Sequence, residues 1–147
     1  MATNMNDMQR QIAKIAQQFS LDIIYAFGSH AKEALGFLKG EVKQISFPPG
    51  SDLDIGVKPA KGKKLDVHQK VELALLFEDL FSAPRVDLIV IPEVDPFLAL
   101  DIIRGEVLYC SDRDEEARFE LFVLRKAGDL AYYKKERIRT IMKEGGR

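Results

Sequence analysis

Hydrophobic and polar residues follow one another along the chain in two periods, one typical of helices and one typical of strands. Apolar residues from Met8 to Phe19 recur at helical spacing and predict an amphipathic first helix over residues 5–19. The β-branched and aromatic run of residues 21–27 predicts the first strand. The same two periods predict the remaining elements in this order: a short helix ending near residue 38, a strand over 53–57, a helix over 65–81, a strand over 86–91, a helix over 96–104, a short strand over 106–110 and a long C-terminal helix over about 112–143.

The order of these elements predicts the fold class. Strands and helices follow one another in turn, which is typical of an α/β (α+β) domain with helices packed on a small sheet. The strand order in that sheet does not follow from the sequence. With 147 residues the chain is long enough for one domain and too short for a second full one, so residues 1–147 are expected to form a single domain with its core over 5–110.

Three aspartates stand in the predicted strands. Asp52 and Asp54 are two residues apart, so their side chains project from one face while the apolar residues between and after them face the core. Asp87 begins the strand over 86–91 together with Val86. If the two strands are neighbours, three carboxylates converge, repel one another and raise each other's pKa. A hard divalent cation such as Mg²⁺ would relieve that repulsion.

A Gly-Ser turn ends the first strand. Gly28 and Ser29 form it, and Ser29 is predicted to cap the helix that follows. The start of a helix offers free backbone N–H groups to an anion, and glycine lets a phosphate approach the backbone closely. Lys32, one turn into the helix, adds a positive charge. Because many plain capped turns contain Gly-Ser, this turn does not identify a phosphate site on its own.

Composition and charge exclude several classes of protein. The chain is 46% hydrophobic and 31% charged with a formal net charge of -1, which is typical of a globular protein and gives no overall charge for binding nucleic acid. No apolar run is long enough to span a membrane, and residues 1–18 are too polar for a signal peptide. The single cysteine, Cys110, excludes an intrachain disulfide and suits a reducing compartment, so a cytoplasmic location is expected.

Taken together, Gly28-Ser29, Ser51-Asp52-Leu53-Asp54 and Val86-Asp87 resemble the motifs of the nucleotidyltransferase superfamily typified by DNA polymerase beta. With little outside this core, the chain is similar to the minimal nucleotidyltransferases, which are often the antitoxin partners of helical HEPN-domain toxins. The resemblance implies a DNA polymerase beta-like nucleotidyltransferase fold with a small mixed sheet. Its motifs lie within residues 22–91.

The same resemblance implies a site and a reaction. The catalytic and metal-binding residues would be Asp52, Asp54 and Asp87. The nucleotide-binding residues would be Gly28, Ser29, Lys32 and Ser51. With two Mg²⁺ ions and ATP, the enzyme would transfer AMP to a hydroxyl of a partner protein and release pyrophosphate. A HEPN-domain protein is the expected partner, and neither nucleic acid nor a membrane is expected.

The chain departs from the minimal enzymes at two points. They usually continue Gly-Ser with x-Ala-Arg-Gly, where this chain has His30-Ala31-Lys32-Glu33. Lysine lacks the bidentate fork with which arginine binds phosphate, and Glu33 replaces a glycine at which phosphate would approach. The second departure is an apparent insertion over residues 37–49, a candidate lid or partner-binding loop. Neither departure touches the three acids, so catalytic competence is expected.

Two other functions stay open at this point. A non-catalytic binding module would neutralise a HEPN-type partner by direct contact. The altered residues Lys32 and Glu33 leave that alternative open. An adenylyltransferase for a small molecule such as an aminoglycoside is disfavoured, because such enzymes generally carry an added substrate domain. The sequence also leaves the oligomeric state open, a homo-oligomer included.

Two basic segments each allow two interpretations. The lysine-rich turn over residues 58–64 is best explained as a solvated turn, with steering of phosphates or RNA as the alternative. Residues 125–147 contain eight Lys or Arg against three acids. These basic residues either complement the dipole at the end of a helix or dock to an acidic partner or RNA.

Overall fold

A computed structural model describes residues 5–145. The predicted domain 1–147 also includes residues 1–4 and 146–147, which lie outside the described range. The helices are α1 Asp7–Gln18, α2 Ala31–Leu38, α3 Val67–Phe81, α4 Pro96–Ile103 and α5 Arg113–Gly145. The strands are β1 Leu21–Phe27, β2 Leu53–Pro59, β3 Val86–Val90 and β4 Glu106–Cys110, and a 3₁₀ turn, Ile91–Glu93, follows β3.

Side-chain caps determine where the helices begin. The Asn6 side chain accepts a hydrogen bond from the backbone N–H of Gln9 at 2.9 Å, and the Gln9 side chain accepts one from the Asn6 N–H at 3.0 Å. Asp66 and Gln69 form the same reciprocal box. These boxes satisfy N–H groups that have no partner within a helix. The helices α1 and α3 therefore begin directly after the caps, at Asp7 and Val67, two residues later than the predicted starts at 5 and 65. Asp112 caps α5 through the N–H two residues further on, at 3.1 Å.

The four strands form one mixed sheet in the order β3-β2-β1-β4. β1 is antiparallel to both of its neighbours, whereas β2 and β3 are parallel. The predicted α/β (α+β) class and small mixed sheet are confirmed. β2 is longer than predicted because its pairing with β1 continues to Leu21 opposite Pro59. β3 ends at Val90, where the 3₁₀ turn begins.

Apolar side chains cover both faces of this sheet. On the first face, residues such as Ile24 and Ile55 pack with the apolar sides of α1 and α3. On the second face, Ile23 and Tyr25 pack with residues of α4 and α5. A Cβ added to Gly56 of β2 would overlap the Ile102 side chain of α4, so α4 lies directly on the strand backbone. The alternation of β2 places Asp54 on this second face too.

The first half of α5 is fixed to the sheet and its second half is not. The Tyr25 side chain is fully buried, and its hydroxyl donates a hydrogen bond to Glu120 Oε2 at 2.8 Å. Burial raises the pKa of the Glu120 carboxyl and of the Tyr25 phenol. Val123 and Ala127 are also buried, whereas no side chain of residues 131–143 is buried. The C-terminal part of the helix therefore presents most of its circumference to solvent.

Candidate active site

The three predicted acids lie at the start of two neighbouring parallel strands. Asp52 immediately precedes β2, Asp54 is the second residue of β2, and Asp87 is the second residue of β3. Asp54 and Asp87 stand opposite each other in the register of the two strands. Leu53 and Ile55, which alternate with the acids, are fully buried on the other face. The structure thus brings the three acids to one end of one face, as the sequence predicts.

The carboxylates of this cluster repel one another. The pKa of Asp54 is raised, first by burial and then by the negative charges of Asp87 and Asp52, while His30 acts in the opposite direction. The only ion pair that the described residues form with these acids joins Arg85 Nε to Asp52 Oδ2 at 3.9 Å. Arg85 is exposed, so this pair compensates little of the negative charge. The site therefore favours a bound cation.

The Gly-Ser turn lies directly against Asp54. Phe27, the last residue of β1, is paired with Asp54, and Gly28 follows with a φ of +76°. A Cβ on Gly28 would overlap Asp54 Oδ2. Glycine is therefore required here both for its backbone conformation and for the space that the carboxylate occupies.

The helix after this turn begins differently from the prediction. α2 starts at Ala31 with His30 at the cap position, and no side chain in the described range caps it. The prediction that Ser29 caps the helix is wrong, because the helix begins one residue too late for Ser29 to occupy the cap position. Ser29 is exposed beside the turn. The start of α2 consequently keeps backbone N–H groups that an anion can use.

A groove of about 350 Å³ opens beside the turn. Gly28, Ser29 and Lys32, three of the residues predicted to bind nucleotide, line one side of it, and residues at the end of α4 and the start of β4 line the other side. That other side includes Arg104, which no sequence motif identifies as a site residue. Arg104 reaches the groove because Gly105 packs so closely on β1 that a Cβ there would overlap the Ala26 carbonyl. The volume lies at the small end of the range for ligand sites.

His30 and Glu33, which depart from the motif of the minimal enzymes, form a pair. His30 is 7% exposed, and its Nδ1 lies 3.0 Å from Glu33 Oε1. The ring of Phe47 packs on the His30 ring with centroids 4.9 Å apart. The Glu33 carboxylate is thus directed toward His30. Where the minimal enzymes have a glycine, this chain has a side chain that holds the residue following the Gly-Ser turn in place.

The apparent insertion packs against the core. Phe37, at its predicted start, belongs to α2 and packs on Phe81 at 5.7 Å between ring centroids. Ile45 is buried in the core on the α1–α3 face of the sheet. Ser51, predicted to bind nucleotide, donates its hydroxyl to the Pro48 carbonyl at 2.8 Å, which fixes the end of the loop just before Asp52.

The lysine-rich turn lies away from the acids. It follows the far end of β2, five residues beyond Asp54, which is about 17 Å along a strand. Lys58 itself forms an ion pair with Asp22 at 3.1 Å. At this distance the lysines of the turn do not contact a phosphate bound at the three acids.

The chemistry of the acidic cluster suits a hard divalent cation. Its donors are carboxylate oxygens, and their mutual repulsion is only weakly compensated by Arg85 and His30. Across residues 5–145, no three His, Cys, Asp or Glu side chains stand close enough to form a ready ligand set. The three acids would therefore have to come closer together than they stand in order to surround an ion.

A mixed sheet that carries paired carboxylates beside a Gly-Ser turn defines a class, the nucleotidyl-transferring enzymes of the polymerase beta type. Residues 10–114 match the family model described as polymerase beta, nucleotidyltransferase, and the chain belongs to this family. A comparison with curated protein sequences finds no significant match. None of the helices in the described part of the chain is long and apolar enough to cross a membrane.

Solved structures with the same fold include chains of toxin–antitoxin complexes. One, a toxin–antitoxin complex with AMP-PNP, has a TM-score of 0.65 and 21% identity over 91% of this chain and 98% of that one. An MntA–HepT complex gives a TM-score of 0.62 and 20% identity over 92% and 97% of the two chains. A tri-AMPylated Shewanella oneidensis HEPN toxin in complex with MNT antitoxin gives 0.61 and 21% over 92% and 96%. The fold of this chain is therefore that of the minimal nucleotidyltransferases.

Proposed function

We propose that this chain is a Mg²⁺-dependent adenylyltransferase that transfers AMP from ATP to a hydroxyl of a HEPN-type partner protein. Such a modification would neutralise a toxic partner, so the chain would act as the antitoxin of a pair in the cytoplasm. The single observation that carries the proposal is the in-register pairing of Asp54 with Asp87 beside the Gly28 turn.

The three acids would all bind metal in the proposed reaction, and one of them would have a second role. Asp52, Asp54 and Asp87 would bind the metal, which supplies charge neutralisation for the phosphates when it is bound. Asp87 is exposed and so is accessible to the acceptor, whose hydroxyl proton it would take. The acceptor oxygen forms a bond to the α-phosphorus, the bond from that phosphorus to the β-phosphate oxygen breaks, and pyrophosphate leaves.

The turn and the groove would position the triphosphate. The uncapped start of α2 offers N–H groups, and Lys32 and Arg104 offer two positive charges. Asp101 and Glu106 line the same groove, so these two charges act on a phosphate locally and the groove as a whole is not cationic. Arg104 would supply the bidentate contact that the arginine-to-lysine difference at Lys32 removes. Ser29 would donate its hydroxyl to a phosphate oxygen. Ser51 would contribute by fixing the end of the loop next to Asp52.

The nucleotide and the partner are suggested by proteins of the same fold. One of these complexes contains AMP-PNP, and another contains a tri-AMPylated HEPN toxin beside its MNT antitoxin. At 21% identity the likeness extends to the fold, so ATP and a HEPN-type acceptor are part of the proposal for this chain.

The test is a transfer assay with α-labelled ATP, Mg²⁺ and a purified HEPN-domain protein. We expect label on the partner from the wild-type chain and none from Asp52→Ala/Asp54→Ala. Asp79→Asn is the matched control, because Asp79 is an exposed aspartate of α3 outside the site. Equal labelling by all three proteins would contradict the assignment of the acids, and no labelling with any nucleotide would contradict transfer itself.

Neutralisation by contact alone is the second candidate function. The observation in its favour is that no three acidic, histidine or cysteine side chains of the described residues form a ready metal site. In a growth-rescue assay with the toxic partner, rescue by Asp52→Ala/Asp54→Ala at the wild-type level would establish this alternative. Loss of rescue with retained binding to the partner would exclude it.

A further inference from the structure

An apolar stripe runs along the outer side of α5. Its six members share a heptad spacing: Leu121, Gly128 and Met142 lie at multiples of seven residues, and Leu124, Ala131 and Ile138 form a second set three residues later. All six are exposed, the four large ones by 46% to 70%. This spacing is the a/d pattern with which two helices pack side by side, and it extends for about 32 Å.

The stripe is distinct from the side of α5 that packs on the domain. The domain-facing side carries Glu120, which is bonded to Tyr25, and the buried Ala127. Lys134 follows on that side, with its Nζ 4.8 Å from the centre of the Phe97 ring. A helix needs one apolar side to pack on its own domain, so the second stripe has no role in the fold of the residues that the structure describes.

The exposed flank of the stripe is basic. Arg125 and Arg139 follow two of the three d residues, Leu124 and Ile138, and Tyr132 follows the third. Lys135 occupies one a position within the stripe. Over residues 125–143 the helix has seven Lys or Arg against two acids. In paired helices, the charges beside the apolar stripe select the partner. The surface complementary to the α5 stripe is therefore a helix with its own apolar stripe and with carboxylates beside it.

A second copy of this chain fits the stripe poorly. In an antiparallel pair the arginine-bearing flanks of the two helices would face each other, and like charges at that position are unfavourable. A parallel pair would bring the domain-facing side of each helix against its partner, and that side is already covered by α4 and β1. Charge and packing therefore both favour a different molecule.

We infer that the α5 stripe is the docking site for an acidic amphipathic helix of the partner protein. The inference rests on the proposed function only in that the docked partner would be the acceptor of AMP. The partner helix would place its apolar side on the stripe and its carboxylates against Arg125 and Arg139. The Gly128–Ala131 centre would permit close approach of the two backbones.

The test measures binding of a fluorescent synthetic helical peptide by anisotropy, with leucine at its a and d positions and glutamate beside them. A matched peptide carries glutamine in place of each glutamate. We expect the acidic peptide to bind the full-length wild-type chain at least about tenfold more tightly than the glutamine peptide, with affinity falling as salt is raised.

Leu124→Glu and Leu75→Glu form a matched pair of variants. Leu124 is 49% exposed in the stripe, and Leu75 is 55% exposed on α3, so neither change disturbs the core. We expect Leu124→Glu to weaken the acidic peptide at least about tenfold and Leu75→Glu to leave it unchanged. Equal affinity for both peptides, or equal loss in both variants, would overturn the inference.

Two further arms separate this inference from its alternatives. A wild-type chain that sediments as a dimer, and as a monomer with Leu124→Glu, would assign the stripe to a second copy and overturn the inference. The variant Asp52→Ala/Asp54→Ala should bind the acidic peptide as the wild type does. Peptide binding without any transfer would contradict the proposed function alone, and transfer without peptide binding would contradict docking alone.

Discussion

Gly28→Ala is expected to damage the proposed reaction far more than the fold. Gly28 has a φ of +76°, a conformation that costs an L-residue about 1–2 kcal/mol. The added Cβ would also overlap Asp54 Oδ2. Because Phe27 is paired with Asp54 across the two strands, the backbones cannot separate easily, and the carboxylate has to move instead.

The two effects have different magnitudes. The backbone strain alone should lower the free energy of unfolding by about 1–2 kcal/mol. A displacement of about 1 Å at a catalytic group can lower a rate about 100-fold, so the transfer rate should fall by that order. Gly62→Ala is the matched control, because Gly62 has a φ of +81° but no atom within 4 Å of an added Cβ.

Urea denaturation followed by circular dichroism measures the stability of both variants, and the initial rate of label transfer measures activity. Both variants should lose similar stability, and only Gly28→Ala should lose most of its transfer rate. A Gly28→Ala chain that transfers AMP as fast as Gly62→Ala would refute the argument that the position of the Asp54 carboxylate controls the reaction.

Three further predictions concern single side chains of the site. Asp87→Asn should lower transfer at least about 100-fold while changing the free energy of unfolding by less than about 0.5 kcal/mol, because Asp87 is exposed; substantial transfer would remove it from the mechanism. Asp54→Asn should be more stable than the wild type at neutral pH, because the raised pKa of Asp54 means that its ionised form opposes folding above that pKa. In thermal melts this advantage should shrink as the pH falls toward the ordinary pKa of aspartate, and a pH-independent difference would contradict the cause. Phe47→Ala should destabilise the fold by about 1–2 kcal/mol, less than a fully buried phenylalanine, and weaken ATP binding by releasing His30; unchanged binding in calorimetry would separate the loop from the site.

Local patterns were sufficient for the elements and for the acids. The alternation of Asp52 and Asp54 with buried residues determines their face, whatever the neighbouring strand is. The neighbour itself was an assumption, since the sequence does not specify that β3 lies parallel to β2 with Asp87 opposite Asp54. That pairing depends on the crossover through α3, which is a property of the whole chain.

Other parts of the site had no local signal. Arg104 ends a helix that the sequence predicts, but its place in the groove follows from the tight packing of Gly105 on β1. The pairing of His30 with Glu33 is predictable from their spacing, because residues three apart on a helix are neighbours. The packing of Phe47 on His30 comes from a loop that sequence patterns do not place.

Strand β1 connects the two surfaces that the proposals assign to nucleotide and partner. Its last residue, Phe27, is paired with Asp54, and the Gly28 turn follows directly. Two residues before Phe27, Tyr25 donates the buried hydrogen bond that fixes α5 through Glu120. A partner helix docked on α5 would thus be positioned relative to β1, the same strand that positions the Asp54 carboxylate. Docking raises the effective concentration of the acceptor hydroxyl only if that geometry is stiff, and a central strand with a buried hydrogen bond supplies the stiffness.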